Sequence, residues 1–217
     1  MAFELTLTET LFIHALVGVF VIVNPFGNVP LFISLTQKFT TVERRNAIVK
    51  SIVIATAILL VFALIGKFLF DILNVSLDSL RIAGGLLLLA IAFDMLMGRS
   101  PASKIDPEEE REAVAVTPMA TPLLAGPGAM TTVMIYMNEA DTMAGVNTNI
   151  VKGLLLVAII LAMGAAFLIL INCDWVYGVI KKDGARVLTK IMGIVLATIA
   201  VEMAATGLLH AFPALGV

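Results

Sequence analysis

Residues 24–30 read NPFGNVP, and they interrupt a long hydrophobic segment. Residues 126–130, GPGAM, interrupt a second hydrophobic segment directly after the run TPLLA at 121–125. Pro25 and Pro127 lie 102 residues apart in a chain of 217, which is close to half its length. Paired interruptions of corresponding membrane helices are a good pointer to the binding site of a transporter. The two stretches therefore predict both a fold with two related halves and the place of its site.

The composition indicates a membrane protein. The chain is 60% hydrophobic and 14% charged, with a mean hydropathy of +1.04. Soluble domains are about half apolar and about a quarter charged. Glu4 and Glu9 stand where a signal peptide would need basic residues, so no cleaved leader is predicted. The single Cys173 excludes an internal disulfide and a paired-cysteine metal site, and no cofactor is expected.

The hydropathy pattern predicts six spans, of which the first and fourth are broken. A half-helix of ten residues covers about 15 Å, half of a hydrocarbon core of about 30 Å, so both breaks are expected near the midplane. Non-helical backbone at the midplane is stable only where protein or a water-filled cavity surrounds it. The predicted spans are Thr10–Val23 with Pro30–Phe39, Ala47–Phe70, Ser79–Met97, Val114–Ala125 with Ala129–Asn138, Ile150–Ile171 and Val187–Leu209.

The basic residues predict the orientation. Eleven of the 14 Lys and Arg residues fall in three loops, and those loops are expected in the cytoplasm. Both termini are then expected outside the cell membrane, on the side of Lys67, Arg81 and Lys152, where Lys67 and Arg81 would extend to the interface. The three loops carry Lys38, Arg44, Arg45, Lys50; Arg99, Lys104, Arg111; and Lys181, Lys182, Arg186, Lys190.

A weak internal repeat relates the two halves. Pro25 matches Pro127 at a spacing of 102, whereas Gly85 matches Gly193, and the run AFDM at 92–95 matches AVEM at 200–203, at 108. Three spans in each half require the second half to insert upside down, as in transporters with inverted repeats. We therefore expect an all-α membrane protein with a 3+3 inverted-topology repeat. Its parts would be residues 1–98, a cytoplasmic linker at 99–113 and residues 114–217, in one transmembrane domain.

The breaks offer chemistry suited to a small zwitterion. Free N–H groups at the start of each second half-helix would bind a carboxylate. Carbonyl groups at the ends of the first halves, around Val23 and Leu124, would accept an ammonium group. The nearby side chains are small and neutral, which favours a small neutral amino acid. The expected substrate-binding residues are Asn24, Pro25, Phe26, Gly27, Asn28, Thr121, Gly126, Pro127, Gly128, Ala129, Met130 and Thr131.

The two motifs together resemble the MarC family of integral membrane proteins, and the resemblance extends over the whole chain. It implies a carrier of the SnatA type, with glycine and alanine as substrates and symport with protons. Met130 stands where a branched aliphatic residue is expected in relatives. No drug-export chemistry is indicated by these residues.

Two intramembrane carboxyls are the expected proton-coupling groups, because ionisable residues inside spans are functional candidates. Glu202 lies deeper in its span than Asp94, and sodium is the alternative coupling ion. The alternatives to a transporter are an ion channel or ion-only carrier and a non-transporting membrane assembly protein. An enzyme is not expected, since no catalytic cluster is present in the spans. Membrane lipids are the other expected partners; no nucleic-acid patch or metal site is indicated, and the oligomeric state is left open.

Overall fold

The computed structural model describes residues 2–36, 39–98, 119–121, 124–143 and 147–212. These residues form seven α-helices and no strand, so the predicted all-α class is confirmed for the described chain. The predicted linker at 99–113, and residues 114–118 of the fourth span, lie outside the described residues. The helices are α1 (Ala2–Val23), α2 (Pro25–Leu35), α3 (Thr41–Ile72), α4 (Leu77–Leu96), α5 (Pro127–Thr142), α6 (Thr148–Ile171) and α7 (Cys173–Ala211).

Short polar turns set the starts of α3 and α4. The Thr40 hydroxyl accepts the Glu43 N–H at 3.3 Å, and the Glu43 carboxylate accepts the Thr40 N–H at 2.7 Å. This reciprocal pair is a capping box, which satisfies two N–H groups that the helix itself leaves open. The Ser76 hydroxyl accepts the Ser79 N–H at the start of α4. Because only residues 73–76 separate α3 from α4, the end of one and the start of the other lie at the same end of the bundle.

Ion pairs identify the two ends of the bundle. At one, Arg44 binds Asp174 at 2.5 Å and donates to the Thr36 carbonyl at 3.0 Å, which joins the start of α3 to the end of α2 and the start of α7. We call this the Arg44 end. At the other, which we call the Lys67 end, Asp141 lies 3.6 Å from Lys67 and 2.6 Å from Lys152.

Arg81 belongs to the Lys67 end as well. It lies in the first turns of α4 and forms a hydrogen bond of 3.2 Å with His210, near the end of α7. The prediction that Lys67, Arg81 and Lys152 share one side is therefore confirmed as a grouping. Which end faces the cytoplasm stays a prediction.

Helices α4 and α7 pack closely along their length. A Cβ added at Gly85 would lie 2.6 Å from the Ala200 carbonyl oxygen, and one added at Gly193 would lie 3.3 Å from the Ala92 carbonyl oxygen. From Gly85 to Ala92 the number rises along α4 while that of the facing residue on α7 falls from Ala200 to Gly193, so the helices run antiparallel. Small residues allow backbones to approach in this way inside a membrane.

Among the described residues, five segments are long and apolar enough to cross a membrane by length and composition. Large apolar side chains such as Leu64, Phe68 and Ile160 are exposed on their outer faces, as a surface in lipid requires. Six spans were expected from the sequence. The fourth of them is not among these five segments, and its first part falls largely outside the described residues. The five segments are Thr8–Pro30, Thr41–Ile72, Leu77–Leu96, Thr148–Ile171 and Arg186–Ala211.

Two predicted boundaries were wrong. The first interruption is a single residue, Asn24, and α2 begins at Pro25 rather than Pro30. Proline fits the first position of a helix because that position has no use for an N–H, whereas Pro30, inside α2, costs one hydrogen bond. Residues 173–186, expected as a loop because of their charge, are the first turns of α7. No proline occurs between Cys173 and Ala211 to stop that helix.

Candidate functional site

The first interruption is built by two asparagines. Asn24 adopts a left-handed conformation with φ 51° and ψ 56°, which asparagine tolerates better than most residues. Its side-chain carbonyl accepts the Gly27 N–H at 3.2 Å. The side-chain amide of Asn28 donates to the Val23 carbonyl at 2.9 Å. Each asparagine therefore satisfies a backbone group that the interruption removes from the helical pattern.

Both asparagines are buried, with 2% of Asn24 and 5% of Asn28 exposed. Burying an amide is costly unless it is hydrogen-bonded, and among the described residues the amide nitrogen of Asn24 has only the Met95 sulfur as a partner, at 3.5 Å. A thioether is a weak acceptor and an amide has two donors. The Val23 carbonyl and the Gly27 N–H, expected to be open to a ligand, have partners within the chain. The Asn24 amide is the polar group here with hydrogen-bonding capacity to spare.

The second interruption has a different local structure. Residues 119–121 and 124 form a wide helical turn, in which the Ala125 N–H donates to the Ala120 carbonyl five residues earlier at 2.9 Å. Gly126 is extended, with φ −74° and ψ 167°, and provides no side-chain cap. Helix α5 begins at Pro127, so its first-turn N–H groups, on Gly128 and Ala129, have no capping side chain. These groups carry the positive end of the helix dipole, which attracts anions.

Both interruptions pack against one face of α4. Asn24 contacts Met95, and a Cβ at Gly128 would meet the side chain of Leu88. Leu88 and Met95 lie seven residues apart, which is about 10 Å along a helix and on the same face. The two interruptions, 102 residues apart in sequence, are therefore brought together in space by α4.

The lining near this face is small and neutral. A Cβ at Gly84 would lie 2.7 Å from the Thr131 hydroxyl oxygen and 2.8 Å from the terminal methyl carbon of Met203. The Thr131 hydroxyl donates to the Pro127 carbonyl at 2.8 Å, and Thr132 is buried beside it. No charged side chain takes part in the described contacts of the two interruptions.

The other expected binding residues lie nearby. Phe26 packs edge-on against Phe20, with ring centroids 6.3 Å apart, so its ring contributes to packing. Met130 and Thr121 are partly exposed, and Pro25 is buried. The structure thus places the expected residues at the two interruptions.

The expected proton-coupling residues lie elsewhere. Asp94 and Glu202 are exposed on α4 and α7, next in sequence to the buried Met95 and Met203. The structure does not bring these carboxyls together with the interruptions. They remain a prediction.

A charged cleft of about 560 Å³ lies at the Lys67 end between α3, α5 and α6. It is lined by Lys67, Asp71, Asp141 and Lys152 together with apolar and amide side chains. Asp141 lies beyond Asn138, the last residue of the predicted fourth span. The hydrogen bond from Lys152, assisted by the charges of both lysines, lowers the pKa of Asp141 below its ordinary value.

This cleft was not predicted from the sequence, because its residues lie on three separate helices. Lys67 was expected to extend freely to the interface, but it lies against Asp141 instead. The one local signal is the spacing of Lys67 and Asp71, which puts opposite charges on one face of α3.

The long apolar helices, the buried interruptions and the charged groups at the helix ends define an all-helical integral membrane protein. The chain belongs to the family described as MarC family integral membrane proteins, whose model matches residues 9–212. It is 41% identical to a UPF0056 membrane protein of Methanocaldococcus jannaschii over 91% of this chain and 95% of the relative. It is 31% identical to the UPF0056 membrane protein YhcE of Escherichia coli, over 92% of each chain.

A third relative is the UPF0056 membrane protein YvbG of Bacillus subtilis, which is 30% identical over 94% of this chain and 96% of its own length. The similarity therefore covers both halves and both interruptions. No solved structure matches the chain.

Proposed function

We propose that this protein is a secondary transporter of small neutral amino acids such as glycine and alanine. Access would alternate around a site formed by the two interruptions, in symport with protons. The observation that carries the proposal is the convergence of the two buried interruptions on α4. An uninterrupted bundle would have no reason to bury Asn24 and Asn28 there, since buried amides cost free energy.

The contacts between α4 and α7 support an inverted repeat. Gly85 faces Ala200, and Gly193 faces Ala92. Adding 108 to Gly85 and to Ala92 gives Gly193 and Ala200, so the same pair of contacts occurs twice with the halves exchanged. A two-fold axis in the membrane plane generates reciprocal contacts of this kind.

The packing of the other helices has the same pairing. Helix α2 packs against α6 and α7, and α5 packs against α3 and α4. Exchanging the two halves of the chain replaces α2 by α5, α6 by α3 and α7 by α4. The first pair of contacts then becomes the second pair. The directions also agree, because α3 runs from the Arg44 end to the Lys67 end and α6 runs the opposite way. The basic Arg44 end would face the cytoplasm of the cell membrane, with both termini outside.

The chemistry of the two interruptions favours a small ligand that carries a carboxylate. The uncapped start of α5 would receive the carboxylate, since oriented N–H groups and the dipole act together there. The Asn24 amide is the second donor available. Gly84, Leu88 and Thr131 pack beside the interruptions as small or apolar residues and offer no charge for an ionic side chain. The resemblance to carriers of the SnatA type points to the same substrates.

The carboxyls of Asp94 and Glu202 are proposed to couple transport to protons. If the halves are related by a pseudo-two-fold axis, the reciprocal contacts are centred near Leu88 and Leu196. Each carboxyl then lies five to six residues from it, about 8 Å along its helix. With the axis at the midplane, the carboxyls of Asp94 and Glu202 would lie equally deep in the membrane. The greater depth that the sequence predicted for Glu202 would then not apply.

We expect Glu202→Gln to abolish uptake driven by a pH gradient while leaving exchange of glycine for glycine. Unchanged pH dependence would refute that role.

Purified protein in proteoliposomes provides the test of transport. Radiolabelled glycine should enter saturably, alanine should compete, and an inward proton gradient should accelerate uptake more than a sodium gradient does. Asn24→Ala and Gly128→Leu should reduce uptake strongly, because they alter the Asn24 amide and the start of α5. Gly164→Ala is the matched control, since a Cβ there meets nothing within 4 Å. Unsaturable conductance would favour a channel, and silent site variants would favour an assembly protein.

A further inference from the structure

The cleft at the Lys67 end contains two positive and two negative side chains. Lys67 and Asp71 come from α3, Asp141 from α5 and Lys152 from α6, so three helices supply its charge. Their sum is zero when all four are ionised. A site for a simple anion or a simple cation would carry an excess of the opposite sign, so the balance favours a ligand that itself has both charges.

Asp141 pairs with both lysines, and each lysine ammonium group keeps further N–H donors. One of its oxygens lies 2.6 Å from the Lys152 nitrogen, and the other lies 3.6 Å from the Lys67 nitrogen. An ammonium group has three donors, so each lysine retains donors after binding Asp141. Because the lysine charges also lower the pKa of Asp141, this carboxyl stays ionised and the lysines stay positioned throughout the physiological pH range.

Asp71 completes the arrangement. It follows Lys67 by four residues on α3, a spacing at which opposite charges commonly pair on a helix. No such pair forms, because Lys67 lies against Asp141 instead. Within the described residues the Asp71 side chain has no hydrogen-bond or ion-pair partner. The cleft thus presents an unpaired carboxylate beside two ammonium groups that have donors to spare.

We propose that this cleft binds a zwitterion that carries a carboxylate or phosphate and an ammonium group. Lys67 and Lys152 would receive the anionic group, and Asp71 would receive the ammonium group. The amides of Asn138 and Asn149 line the same cleft and offer further hydrogen bonds. The identity of the ligand as a small amino acid rests on the proposed function. A zwitterionic lipid headgroup has the same chemistry.

This cleft is separate from the interruptions. Asn138 follows Gly128 by ten residues, which is about 15 Å along α5. Met134 lies between them, is 3% exposed and packs so closely that a Cβ at Gly66 would lie 2.8 Å from its sulfur. Met134 and Gly66 thus pack between the cleft and the start of α5. The cleft is therefore a separate candidate site at the Lys67 end.

A fluorophore at the cleft measures its occupancy without requiring transport. Gly153 lines the cleft, and a Cβ there meets nothing within 4 Å. Gly153→Cys can be labelled in a Cys173→Ser background, since Cys173 is the chain's only cysteine. Titration of the full chain in detergent with glycine should change the fluorescence saturably. Acetate or methylamine alone should bind much more weakly. Equal binding of either would overturn the proposal.

Variants locate the binding. Asp71→Asn and Lys152→Gln should each weaken glycine binding at the labelled cleft about tenfold, which corresponds to about 1.4 kcal/mol. The controls Glu9→Gln and Lys190→Gln remove exposed charges elsewhere and should leave it unchanged. Asp71→Glu, which keeps the charge, should restore most of the affinity. Glycine binding unaffected by Asp71→Asn and Lys152→Gln would overturn the proposal.

Nanodiscs distinguish the two sources of the zwitterion. In phosphatidylcholine discs, whose quaternary ammonium has no N–H to donate to Asp71, glycine should produce the full response. Discs of phosphatidylethanolamine could instead abolish the fluorescence response to glycine. If Asp71→Asn then restores the fluorescence of the unliganded cleft, the lipid headgroup is the occupant, and the site is supported. Failure of the proposed function has a different signature. Absence of glycine uptake, with saturable binding at the cleft, would refute the transport of glycine and leave the cleft intact.

Discussion

Replacing Gly85 by alanine tests the crossing of α4 and α7 on which the two-fold relation depends. The added Cβ would lie 2.6 Å from the Ala200 carbonyl oxygen and 2.9 Å from the Ala204 amide nitrogen, whereas ordinary contacts begin at 3.4 Å. Both atoms belong to the backbone and cannot rotate away. The helices would have to separate by about 0.8 Å at the crossing, which loses dispersion contacts along it.

The size of the effect follows from a comparison with Gly164→Ala. Both substitutions gain the same helix propensity of about 1 kcal/mol, but a Cβ at Gly164 meets nothing within 4 Å. The difference between the variants is therefore the overpacking cost, about 1 to 3 kcal/mol. For a chain of this size each kcal/mol moves the Tm by about 2 to 4 °C. The Gly85→Ala variant should melt about 2 to 12 °C below Gly164→Ala.

Thermal unfolding in detergent, followed by circular dichroism, measures this difference. Gly193→Ala should fall between the two variants, because its nearest neighbour is the Leu96 side chain at 3.1 Å, and a side chain can move aside. A Tm for Gly85→Ala equal to or above that of Gly164→Ala would refute the close crossing.

Three further outcomes are expected from single sites. Asn24→Ala should lower the free energy of unfolding by about 1 to 2 kcal/mol more than Asn24→Gly, since only the alanine is strained at positive φ; chemical denaturation measures both. The lowered pKa of Asp141 means that its pairing stabilises the protein fully above the ordinary value of 3.8 and is lost as the pH falls through the lowered value. Asp141→Asn should therefore show a smaller fall in Tm than the unmodified protein between pH 5 and 3. Tyr136→Phe removes the hydrogen bond to the His14 carbonyl and should cost about 0.5 to 1.5 kcal/mol in the same denaturation assay, whereas an unchanged midpoint would count against that bond.

Helix starts near both motifs could be expected from the sequence because proline acts locally, whereas their interpretation as two broken membrane helices stays a prediction. Pro25 and Pro127 each begin a helix, and the fixed φ of proline favours that position without any knowledge of the rest of the chain. The length of the first interruption was not predictable in the same way. It depends on the side chains of Asn24 and Asn28 returning to the backbone, and asparagine does this only where tertiary packing buries it.

The charged cleft could not be predicted from the sequence because it depends on contacts between different helices. Lys67 and Asp141 are far apart in sequence and lie on different helices, and their contact depends on how α3 packs against α5. A lysine near the end of a span usually extends to the interface, and nothing beside Lys67 in the sequence indicates otherwise. Gly85 and Gly193, which the proposed repeat pairs, both lie where α4 crosses α7 closely.

In the proposed repeat the two interruptions correspond but differ chemically, and the difference bears on how a zwitterion would be oriented. At the spacing of 102, Asn24 corresponds to Gly126 and Asn28 to Met130, so the asparagines that satisfy the first interruption have no counterpart in the second. The first N–H groups of α5 therefore lack the side-chain cap that Gly27 receives from Asn24. On the proposed function, the carboxylate binds at α5 in both inward-facing and outward-facing states. The Asn24 interruption then forms an uncharged side of the proposed site. Its amide donor would distinguish substrates by size rather than by charge.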